Sequence, residues 1–109
     1  MGSTAASVII ETTQGRVQGR AEGTILSWKG IPFAKPPLGV LRFRAPQPAD
    51  SWSGVRDATQ YGSACIQLPF FSDVDAPIVG SEDCLTLNIW SPATDERRRP
   101  VLVWIHGGG

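Results

Sequence analysis

The stretch Pro100-Val101-Leu102-Val103-Trp104-Ile105-His106-Gly107-Gly108-Gly109 decides how the rest of the chain is read. Val101 to Ile105 is apolar at every position and rich in β-branched and aromatic side chains, which fits a strand better than a helix. A run without alternation predicts a strand covered on both faces, the kind found inside an α/β sheet. Three glycines follow His106 at once. Without Cβ atoms the backbone there can turn sharply, and successive N–H groups can converge on one anion.

Working back from this run, Ser91 to Pro100 is polar and predicts a turn in which Arg97, Arg98 and Arg99 are solvated. Leu85 to Trp90 alternates apolar and polar residues, as a half-buried strand does. Gly62 to Ser81 carries no periodicity, although Leu68, Phe70 and Phe71 are apolar, and it predicts a long irregular loop. A short strand fits Ser53 to Asp57. Between Gly30 and Pro48 stand five prolines, which exclude helix and central strand and predict an extended loop pinned by Phe33, Leu38 and Phe43. Near the start, Val8–Thr12, Arg16–Gln18 and Thr24–Lys29 read as strands of an antiparallel meander, with turns at Gln14-Gly15 and Glu22-Gly23. No window shows apolar residues at helical spacing. An inner strand with no helix before it implies the edge of a larger α/β sheet, so the expectation is a fragment.

Composition narrows the function. The 109 residues suit one small domain, and ten basic side chains balance ten acidic ones, so no charge excess points to nucleic acid or a membrane surface. No apolar run approaches the length needed to span a bilayer. Met1 to Ser7 lacks the basic and apolar regions of a secretory signal, which predicts a cytoplasmic protein. Cys65 and Cys84 then read as two thiols; oxidised, they would close a loop of about 20 residues worth roughly 3 kcal/mol, and a secreted protein becomes the alternative. One His and two Cys do not make a four-ligand zinc site, and neither phosphate-binding glycine motif is present, so no metal or cofactor is expected.

A strand running into His-Gly-Gly-Gly fits the oxyanion loop of lipases and esterases, where the anion is the tetrahedral intermediate's oxygen. One such donor is worth roughly 2.7–4 kcal/mol. Three further motifs stand in order before it: Gly30-Ile31-Pro32-Phe33-Ala34-Lys35-Pro36-Pro37, Leu41-Arg42-Phe43-Arg44-Ala45-Pro46, and Ser81-Glu82-Asp83-Cys84-Leu85-Thr86-Leu87-Asn88-Ile89. Together the four motifs resemble the N-terminal part of the type B carboxylesterases, over about Glu11 to Gly109.

That resemblance implies an α/β-hydrolase fold, of which residues 1–109 would be the antiparallel start of the central sheet, truncated after the oxyanion loop. It implies hydrolysis of small-molecule carboxylic esters by a Ser-His-Asp/Glu triad. No G-x-S-x-G elbow occurs in these residues, so the triad is expected beyond residue 109 and the chain alone is expected to be inactive. By position, Gly108 and Gly109 would donate to the oxyanion, with Gly107 and His106 supporting the loop. The resemblance also implies a Cys65–Cys84 disulfide, as in many secreted members, and an Arg42–Glu82 ion pair. The stretch between the cysteines holds no Trp, which disfavours cation–π capture of a choline ester. A non-catalytic, cholinesterase-like adhesion protein is the competing expectation, because one fold serves several functions.

Overall fold

The computed structural model describes residues 7–68 and 78–107. Its elements are β1 (Ser7–Glu11), β2 (Arg16–Glu22), β3 (Ile25–Pro32), a single 3-10 turn (Gly39–Leu41), β4 (Val55–Asp57) and β5 (Thr86–Ser91). All five strands join one sheet in the order β1-β2-β3-β5, with β4 on β2. β1, β2 and β3 form the antiparallel meander that the glycine-punctuated pattern predicts. Thr12 and Gly15 close the first hairpin by exchanging backbone hydrogen bonds of 2.9 and 3.2 Å. Gly23, with φ 66°, makes the second turn in a conformation that costs glycine little.

Val17, Trp28, Ile31 and Ala58 form the core, with Val8, Ile10, Leu26 and Trp52 packed around them. The indole of Trp28 donates to the carbonyl of Val8 at 3.2 Å, so its one polar group is satisfied. Gly19 is what lets this ring lie against β2. A Cβ there would stand 2.7 Å from the indole and 2.1 Å from the Ser27 carbonyl oxygen. Trp52 clamps the first hairpin from the far side of the sequence. Its N–H reaches Gln14 at 2.9 Å and its indole donates to Arg16 at 2.8 Å.

β3 runs further than the proline content suggests. A bulge between Trp28 and Ile31 shifts its register against β5, and pairing resumes at Ile31–Leu87 and Pro32–Thr86. β4 is shorter than the stretch from Ser53 to Asp57 and runs parallel to β2, a pairing that the meander pattern does not predict. The loop after β3 is not pinned by its apolar residues. Phe33 and Leu38 are half exposed, and Phe43 is 97% exposed with a left-handed φ of 58°. Backbone hydrogen bonds hold the loop instead, from Phe33 to Leu85 at 3.1 Å and from Lys35 to Gln47 at 3.0 Å. The prolines stiffen the chain between these anchors.

Two expectations for the later strands are corrected. β5 forms, but Leu87, Ile89 and Trp90 remain 39–50% exposed, because β5 is the last strand of the sheet among the described residues. Val101–Ile105 is not a strand. Its side chains are 74–90% exposed, and among the described residues no backbone hydrogen bond reaches it. Apolar patterning makes a segment able to pair, but a strand exists only beside a neighbour. Within the irregular loop, Gln67 and Val79 form an isolated bridge, which draws its two ends together. Phe70 and Phe71 lie outside the described residues. Among the described residues no helix is long and apolar enough to cross a membrane.

Candidate functional site

The glycine run enters the described structure only through His106 and Gly107, both exposed. The His106 ring nitrogen Nδ1 lies 2.8 Å from the Gly107 carbonyl oxygen. Among the described residues nothing lies within 4 Å of where a Gly107 side chain would begin. Gly108 and Gly109, the expected oxyanion donors, lie outside the described residues.

Arg42, Glu82, Cys65 and Cys84, separated in sequence, do come together. They line one shallow, open depression of about 300 Å³ with Phe43 and Ile66. Arg42 Nε stands 2.5 Å from Glu82 Oε2, tying the proline-rich loop to the approach to β5. The two side chains are 53% and 39% exposed, so solvent screens the pair. Both cysteines are free thiols in this structure. Burial pushes the Cys84 thiol up, and the neighbouring Cys65 and Asp83 add to the shift. A thiol shifted that way is a poorer nucleophile at neutral pH than a free cysteine. Burial thus works against Cys84 as an attacking group.

A second cluster escaped sequence reading altogether. Glu22 accepts a hydrogen bond from the buried Ser27 hydroxyl and pairs with Lys29 Nζ at 2.9 Å. The ammonium also sits over the Tyr61 ring at 4.4 Å. Ser27 first, then Lys29, holds the Glu22 carboxyl below its usual range, and Glu22 in turn raises Lys29. A serine bonded to an ionised carboxylate beside a charged lysine has no neutral amine to activate it, so the trio locks the β2–β3 hairpin. Its members belong to β2, β3 and the distant loop of Tyr61, and only the diagonal neighbourhood of Glu22 and Ser27 follows from the hairpin register. Among the described residues no group of three metal-ligating side chains is assembled.

Comparison with known proteins supplies what the visible geometry does not. The para-nitrobenzyl esterase of Bacillus subtilis is 48% identical over 103 residues, covering 92% of this chain and 21% of that protein. Mouse carboxylesterase 1E is 44% identical over 126 residues, covering 99% of this chain and 22% of that protein. In space, a carboxylesterase of Geobacillus stearothermophilus superposes with a TM-score of 0.79 at 49% identity, covering 92% of this chain and 19% of that one. The chain thus spans about a fifth of the length of the relatives it matches. Its sheet is the largely antiparallel part of an α/β-hydrolase fold. The carboxylesterase family model matches residues 6–109, and the chain belongs to that family.

Proposed function

We propose that residues 1–109 are the N-terminal portion of a serine carboxylesterase that hydrolyses small-molecule carboxylic esters, and that the loop from His106 to Gly109 supplies its oxyanion donors. One observation carries this reading: an apolar run, Val101 to Ile105, leads without interruption into His-Gly-Gly-Gly in a member of the carboxylesterase family. Ester hydrolysis passes through a tetrahedral intermediate whose oxygen gains negative charge. Donors fixed in advance stabilise that charge without reorganising at the moment of reaction. Gly108 and Gly109 offer backbone N–H groups, while the nucleophile, the acid and the base belong to chain outside residues 1–109. No cofactor enters the chemistry.

The test is a hybrid esterase in which residues 1–109 replace the matching segment of the Bacillus subtilis para-nitrobenzyl esterase. The hybrid should hydrolyse a para-nitrophenyl ester, whereas the 109-residue chain alone should not exceed a protein blank. Gly108→Val should then lower kcat on the order of a hundredfold, because a β-branched residue displaces one donor from the oxyanion. An unchanged kcat with a raised KM would remove Gly108 from that role.

A further inference from the structure

The chain's ten cations, all within the described residues, differ sharply in how their following peptide bonds are held. Arg16, Arg20, Lys29 and Arg56 lie in paired strands. Lys35 and Arg99 each precede a proline, Pro36 and Pro100, whose ring lacks the N–H of an ordinary leaving amide and restricts the preceding residue. Arg42 is paired with Glu82, and both Arg42 and Arg44 donate backbone bonds within the 3-10 turn region, to Gly39 at 3.2 Å and Leu41 at 3.2 Å. Arg97 and Arg98 remain. They stand adjacent and exposed in the turn after β5; the Arg97 guanidinium comes no nearer than 4.0 Å to the Asp95 carboxylate, and its side chain stays 81% exposed.

One carboxylate holds this turn closed. Asp95 accepts both guanidinium nitrogens of Arg99, at 2.6 and 2.9 Å, and the backbone N–H of Arg97 at 3.1 Å. Arg99 first, then the Arg97 N–H, keeps the Asp95 carboxyl below its usual range, so the latch stays ionised near neutrality. An endoprotease binds its substrate extended, so the turn must open before either bond is cut.

We infer that the turn from Asp95 to Arg99 is the chain's primary site for a trypsin-type endoprotease, one whose specificity pocket carries an acidic group, and that Asp95 sets how fast the site opens. Water adds across the bond after Arg97 or Arg98, leaving a new carboxylate on that arginine and a new amine on the next. The cut separates the five-stranded sheet from residues 98–109 or 99–109. This inference does not depend on esterase activity.

The experiment is timed digestion of the 109-residue chain in dilute solution with a small amount of trypsin, read by intact mass. The first products should end at Arg97 or Arg98 and form about tenfold faster than any other cleavage product. Asp95→Asn should speed that cut about threefold or more, since cleavage follows the open population, and Arg97→Gln with Arg98→Gln should abolish it. First products ending at Arg42 or Arg44, or cutting spread over all cations, would overturn the site. An unchanged rate in Asp95→Asn would overturn the latch.

Discussion

Asn88 of β5 completes the bulge in β3: its side-chain oxygen Oδ1 accepts the backbone N–H of Gly30 at 3.0 Å, across 58 positions of sequence. Gly30 is buried with φ 70°, and a Cβ there would meet the Gln60 carbonyl oxygen at 2.9 Å. The bulge thus needs glycine for its backbone and Asn88 for its orphaned donor. Asn88→Ala should cost about 1–3 kcal/mol, the penalty for a buried donor without a partner. Asn88→Asp keeps an acceptor and should cost less. Denaturant midpoints of the three proteins give the comparison, and equal midpoints would deny the bulge its cap.

The Arg42–Glu82 pair should be worth little despite its short distance. Both groups keep contact with water, so a double-mutant cycle through Arg42→Ala and Glu82→Ala should give a coupling of about 1 kcal/mol or less. That is well below the roughly 3–5 kcal/mol expected for stranding one member of a buried pair. The coupling should also shrink with added salt. A large, salt-independent coupling would mean that the pair is buried in the protein's working state.

These cases show what was legible in the sequence. Turn chemistry was: Gly15 sets the hairpin that registers β1 against β2, and Gly23 the one that registers β2 against β3. The pairing of Arg42 with Glu82 entered through the resemblance, because nothing local links residues 40 positions apart. The bulge, the parallel β4 and the Trp52 clamp were not legible. Each depends on which strand lies beside which, and a pattern within one segment carries no record of its neighbours. The same limit explains Val101–Ile105. Its composition specifies a buried strand, while its state in this structure is set by the lack of a ladder partner among the described residues. For the candidate site, chemistry was readable from His106 to Gly109, but donor geometry was not.

Acid should loosen the β2–β3 hairpin through Glu22. Its folded pKa is depressed, first by Ser27 and then by Lys29, so the carboxylate contributes stability above its unfolded value, about 4.3, and loses it as pH falls through the folded value. Amide hydrogen exchange along β2 and β3 should therefore speed up below about pH 4.3 relative to the rest of the sheet. Glu22→Gln should remove that pH dependence. Identical pH profiles for the two proteins would show that Glu22 gains nothing from its partners.

The 109-residue chain should self-associate through Val101–Ile105. Five consecutive apolar residues at 74–90% exposure, uncharged and of high β propensity, form an open template for strand pairing. The flanking residues oppose this: Arg97 and Arg98 add charge, and Pro100 cannot donate to a ladder. Those guards stand on one side only, and the glycines on the other impose no penalty on an extended backbone beyond their entropy. Association should accordingly rise with concentration rather than be blocked. Size-exclusion chromatography over a concentration series should show species larger than a monomer. Leu102→Glu together with Trp104→Glu should return the chain to a monomer, because like charges facing each other across a newly formed ladder repel. The sheet core around Trp28 is untouched by these changes, so the variant should keep the far-ultraviolet signal of the parent. A wild-type chain that stays monomeric at every concentration would mean that the run finds cover within its own molecule.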